Sequence, residues 1–164
     1  MTAAAALLAL VTAERLVELW LARRNTAALL ARGAVEVGAG HYPLIVALHA
    51  LWLAVLWGMA SGAPVQPVWL AVFLVLQLGR LWVLATLGRR WTTRIIILPG
   101  APLIRTGPYR WLSHPNYAVV VAEIAVLPLC LGQPLVALVF SIANAAVLSL
   151  RIASENAALR PVTD

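Results

Sequence analysis

Residues 66–88 read QPVWLAVFLVLQLGRLWVLATLG, and this run carries a single charge, Arg80. A helix rises about 1.5 Å per residue, so roughly 20 apolar residues cross the ~30 Å hydrocarbon core of a bilayer. The run meets that length, and stretches 2–22, 43–60 and 134–154 come close to it. A fifth stretch, 115–131, is shorter, and its Pro115 suits a first helical turn, where a missing N–H breaks no bond. The turn Leu131-Gly132-Gln133-Pro134 leaves room only for a tight connection, so the last two helices should form an antiparallel hairpin.

The whole chain agrees with this reading. Its 164 residues are 63% hydrophobic and only 11% charged, with 12 basic residues, all arginine, against 6 acids. Soluble domains carry about 25% charged residues, so a water-soluble globule is excluded. The expected fold is all-α and integral to the membrane: one domain, 1–164, with five transmembrane helices, a cytosolic connector over 89–114 and a C-terminal helical hairpin. The lone Cys130 closes no intramolecular disulfide, and no CxxC or Cys/His cluster points to a metal. The formal charge of +6 does not mark a nucleic-acid binder, because the arginines follow the helix ends instead of gathering on one soluble face.

Orientation follows from those ends, since arginine-rich loops stay in the cytoplasm. Arg23, Arg24 and Arg32 follow the first helix, Arg89, Arg90, Arg94, Arg105 and Arg110 the third, and Arg160 the fifth, while 61–65 and 132–133 are uncharged. The N-terminus is therefore expected outside and the C-terminus inside. Glu14, Arg15 and Glu18 interrupt the first run, and no basic start precedes it, so it makes a poor signal peptide and should remain in the mature protein.

Ionisable groups within a membrane helix are costly and normally face a partner or a wet cavity. Arg80 stands nine residues before Arg89, and Glu123 eight after Pro115, which places both roughly 12–14 Å inside the inner surface. Arg15 reaches a similar depth. Pairing of Arg80 with Glu123 and of Arg15 with Glu18 would hold helices in register, and a polar pathway is the other reading open to such charges. His41 and His49 have no partners at ligand spacing. Trp57, Trp69, Trp91 and Trp111 fall near the expected interfaces, as an aromatic belt would.

The segment 89–117, RRWTTRIIILPGAPLIRTGPYRWLSHPNY, is unlike a solvated loop. Ile95 to Leu98 are apolar but too few to span, so they should lie at the interface or fold back on the helices. Pro99, Pro102, Pro108 and Pro115, with Gly100 and Gly107, fix turns and prevent continuous helix. A stiffened segment of this kind can present backbone N–H and C=O groups to a ligand. It is the expected binding lid.

Gly107-Pro108-Tyr109, then His114-Pro115-Asn116-Tyr117, then Arg151-Ile152-Ala153-Ser154-Glu155 together resemble the isoprenylcysteine carboxyl methyltransferase family, whose small membrane enzymes use S-adenosylmethionine. The run RTGPYRWLSHPNYAVVVAEIA is particularly similar to a bacterial branch that methylates alkylpyrones or related phenolic lipids. The resemblance implies an O-methyltransferase with a lipophilic acceptor. It implies a cofactor site made of Arg94, the backbone of Ala101, Pro102, Leu103 and Ile104, then Tyr109, His114, Pro115, Asn116, Tyr117 and Glu155, with Arg151 facing the substrate. Many members carry a second glutamate where Asn156 stands, glycine where Ala118 stands, and an aromatic, basic tail that is missing here. A prenylated protein, the acceptor of the family's namesake, is accordingly the second reading. A transporter or a lipid-binding bundle is a third.

Overall fold

The computed structural model describes the backbone of residues 2–163 and the side chains of 2–157. Five helices carry the chain: α1 (Ala3–Leu30), α2 (Tyr42–Met59), α3 (Pro67–Leu87), α4 (Pro115–Cys130) and α5 (Pro134–Thr163). Three of them, α2, α3 and α5, are long and apolar enough to cross a membrane, while α4 is apolar but shorter. α1 falls outside that group for a definite reason: every 18-residue window along it contains Glu14, Arg15 and Glu18. The five expected segments are thus all helical, whereas span-like character belongs to three of them.

Two ends differ from the sequence reading. α1 continues past Ala22 to Leu30, and α5 past Ser154 to Thr163. Polar residues end a hydrophobic run without ending a helix, because Arg, Ala and Leu are all strong helix formers. A second difference lies in the connectors. Val35–Val37 forms a strand, β1, that pairs antiparallel with β2 (Ile95–Ile97), in the register Val35 to Ile97, Glu36 to Ile96 and Val37 to Ile95. The isoleucines therefore fold back as half of a ribbon that lies against α5. Three-residue strands are too short for an alternating pattern to announce them.

α3 packs on α4, α4 on α5, α2 on α5 and α1 on α2. The hairpin between α4 and α5 closes as expected, through Gly132 at φ 68, a left-handed position open to glycine at no steric cost. The far end of α4 is also tied down, because Gln66 N donates to Cys130 O at 2.8 Å. Leu8, Trp52, Leu56, Phe73, Ile124, Leu127 and Phe140 build one core at that end. Ala22, Val83 and Trp91, with Leu84, Leu87 and Tyr109 against them, build a second at the arginine-rich end. Trp91 is thus interior and does not belong to the aromatic belt, while Trp57, Trp69 and Trp111 are exposed.

The membrane charges lie between these cores along α1 and α3. Arg80 Nε donates to Glu123 Oε1 at 2.7 Å, its Nη2 to Glu123 Oε2, and its Nη1 to Glu18 Oε1 at 3.2 Å. Arg15 reaches Glu18 at 2.9 Å and Glu123 at 3.7 Å, so the two expected pairs are one network across α1, α3 and α4. The cavity beside it holds about 10 Å³, room for one water at most. Among the described residues, the two arginines and two glutamates of this layer are ion-paired with one another.

Candidate functional site

At the arginine-rich end the chain has spare backbone to organise, and buried side chains do so. Asn25, on the extension of α1, donates Nδ2 to Gly88 O at 3.2 Å and to Trp91 O at 2.8 Å. These bonds fix where the connector leaves α3. Leu98 to Ala101 then turn back, with Ala101 N donating to Leu98 O at 3.2 Å and Gly100 at φ 74 after Pro99. Proline first and positive-φ glycine second is the residue order of a type II turn. Arg90 Nη1 donates to Pro102 O at 2.6 Å and pins the next stretch. Gly107, at φ 55, opens a short 3-10 turn through Arg110, and a Cβ there would stand 2.4 Å from Thr86 Oγ1. The glycine lets this turn press against α3.

The result is a cleft of about 840 Å³, inside the roughly 300–1,000 Å³ range of small-molecule sites. Arg94, Ala101, Pro102, Leu103, Ile104, Tyr109, His114, Asn116, Tyr117, Arg151 and Glu155 all line it. Of the residues that the resemblance assigns to cofactor or substrate, Pro115 alone is not part of that lining: it is buried as the first residue of α4. The expected lid is a wall of the cleft, with β2 and the connector on one side and α4 and α5 on the other.

Tyr117 is the centre of the polar side. Arg151 Nε donates to its hydroxyl at 2.8 Å, and the hydroxyl donates to Glu155 Oε2. Arg151 and Glu155, one turn apart on α5, thus meet through a residue of α4. His114 stacks on the Tyr117 ring, with centroids 5.2 Å apart and planes 16° apart. Its Nε2 lies 3.1 Å from Asn156 Oδ1, and its Nδ1 lies 3.8 Å from Glu155 Oε2. The pKa of Tyr109 is pushed up to about 12, first by burial and then by the Glu155 charge, so the side chain remains a neutral phenol.

Arg94 is placed differently from its neighbours. It lines the cleft, yet its Nη1 donates to both carboxylate oxygens of Glu36, at 2.8 and 2.9 Å. Asn25, Glu36, Trp91 and Asn156 are among the residues at or bracing the site to which the sequence reading gave no place in it. Asn156 had a signal, since it directly follows Glu155, but Asn25 and Glu36 act across separations of about 60 residues that no local pattern marks.

Fold and site define a helical membrane protein with a small-molecule cleft at one end of its bundle. The chain belongs to the isoprenylcysteine carboxyl methyltransferase family, whose model matches residues 69–161, from α3 through α5. It is 40% identical over 159 residues to a Bacillus subtilis (strain 168) protein described as "Uncharacterized protein YpbQ", an alignment covering 94% of this chain and 95% of that one. No solved structure matches the chain. Members of the family are membrane methyltransferases that use S-adenosylmethionine, so the family supports methyl transfer as the general reaction.

Proposed function

We propose that this chain transfers a methyl group from S-adenosylmethionine to an oxygen of a lipophilic molecule at the inner leaflet of a bacterial cell membrane. The acceptor oxygen is a carboxylate, enol or phenol, and a type III polyketide such as an alkylpyrone is the acceptor that the motif favours. The observation that carries this reading is the convergence of three sequence-separated motifs, around Tyr109, His114 and Arg151, on a single cleft.

The residues present suit the cofactor. Trp91 Nε1 and Asn116 Oδ1 are buried without a hydrogen-bond partner, one a donor and one an acceptor, and both residues line the cleft. A buried polar atom left unpaired costs about 1–3 kcal/mol, so a ligand able to satisfy both is favoured. Glu155 Oε2 takes Tyr117, which leaves Oε1 for an ammonium or ribose hydroxyl, and the backbone of 101–104 offers hydrogen-bonding edges. His114 and Tyr117 would anchor the amino-acid end.

S-adenosylmethionine supplies an electrophilic methyl group on a sulfonium. In-line displacement requires acceptor oxygen, methyl and sulfur to align, and fixing that geometry can supply much of the acceleration. Arg151, only 6% exposed and held by Tyr117 through Nε, keeps its other guanidinium donors for an anionic acceptor oxygen. A fixed guanidinium stabilises that oxygen as an anion, so an acidic enol or carboxylate needs no strong base. The test is calorimetric titration of the full chain in detergent with S-adenosylhomocysteine, followed by mass spectrometry of lipid extract incubated with labelled S-adenosylmethionine. Binding in the micromolar range with a methylated lipid product is expected. Absence of binding would overturn the reading.

A further inference from the structure

We propose that Glu36 is a positioning residue for the cofactor cleft: it latches Arg94, and through Arg94 the β2 wall. The proposal rests on the function proposed above. Glu36 and Tyr42 lie between the end of α1 and the start of α2, outside the residues that the family model matches. In the ribbon register Glu36 stands opposite Ile96, which makes Arg94 its diagonal neighbour on the same face, within reach of long side chains.

Four contacts converge on this point. Arg94 Nη1 holds both oxygens of Glu36, and the Arg94 guanidinium lies 4.5 Å over the Tyr42 ring. The Tyr42 hydroxyl lies 3.0 Å from Thr93 Oγ1, and Thr92 Oγ1 donates to Arg94 O at 2.7 Å. The ribbon these contacts brace has only three residue pairs. A two-stranded ribbon this short is marginal by itself, and here it has α5 on one side and the side-chain latch to add to the hold on Ile95–Ile97 as the wall. Held by a carboxylate and an aromatic face, Arg94 is engaged on the side of the first two helices.

The experiment pairs S-adenosylhomocysteine titration with hydrogen exchange at the amides of 95–98, both on the full chain in detergent. Glu36→Ala should weaken S-adenosylhomocysteine binding roughly three- to tenfold, as expected for a partly exposed charged pair with an added ring contact. The same variant should speed exchange at 95–98 in the ligand-free protein, with Tm little changed. Arg94→Glu should bind weakly, and Glu36→Arg combined with Arg94→Glu should recover much of the loss. The proposal is overturned if Glu36→Ala leaves exchange at 95–98 unaltered. It is overturned equally if the exchanged pair binds no better than Arg94→Glu alone, which would put Arg94 itself on the cofactor. If the unaltered chain binds no S-adenosylhomocysteine, the methyltransferase reading fails by itself, and unaltered or faster exchange still decides the latch.

Discussion

At the scale of single residues, the Tyr117 hydroxyl joins Arg151 to Glu155, two residues to which the proposed function gives separate tasks. Arg151→Ala should lower turnover by about 10²-fold or more while S-adenosylhomocysteine affinity changes little, as for the loss of one donor to a developing charge. Glu155→Ala should instead weaken cofactor binding, by about tenfold for a lost charged hydrogen bond. Wild-type kinetics in both would remove these assignments. Gly107→Ala should destabilise the chain by about 1–2 kcal/mol, since it forces a left-handed φ on a residue with a Cβ and drives that Cβ into Thr86; a thermal melt in detergent checks it. Tyr109 carries a pH signature. Its phenol pKa sits at about 12, above the ordinary 10.0, so its contribution to stability is complete below pH 10 and is lost as pH rises toward 12. Tyr109→Phe should flatten that alkaline loss.

At the scale of elements, the helices are legible in the sequence because an apolar run of membrane length can satisfy its own backbone within lipid only by coiling into a helix. The depths of Arg80 and Glu123, counted from Arg89 and Pro115, are enough to bring them together. Local spacing pairs Arg15 with Glu18 alone, because its second partner, Glu123, depends on how α1 lies against α4. The ribbon and the Asn25 bonds are not legible. Each joins residues about 60 positions apart through geometry that only the packed bundle supplies. The motif residues gather as expected because a short hairpin between α4 and α5 leaves little freedom in how their open ends meet. Only the family resemblance gives Arg94 a place, and the structure finds it bonded to Glu36. Asn25→Ala should free the start of the connector, costing about 1–3 kcal/mol, chiefly for the buried Trp91 carbonyl left unpaired. Faster hydrogen exchange at 88–92 than in the unaltered chain is the expected result.

At the scale of the molecule, two apolar cores flank one charged layer, so the bundle is pinned in register at mid-height. Removing one partner of a buried ion pair typically costs about 3–5 kcal/mol, because the other charge is left uncompensated. Arg80→Ala should therefore abolish the folded protein in detergent, whereas replacing Arg15, Glu18, Arg80 and Glu123 together by apolar residues of similar size should be far better tolerated. Size-exclusion profiles of the two variants make the comparison. A quadruple variant that folds yet binds no S-adenosylhomocysteine would show that the layer serves the cleft as well as the packing.

The shortness of α4 has a consequence for where the reaction would happen. Its 16 residues make a helix about 24 Å long, roughly 6 Å less than the hydrocarbon thickness. Its outer end is tethered by Gln66, so in the proposed orientation the deficit falls on the inner end, where His114 and Tyr117 stand. A bilayer meets such a mismatch by thinning or dimpling. The floor of the cleft would then sit below the plane of the surrounding headgroups, and an amphiphile could present its oxygen by sliding sideways, its chain never leaving the oil.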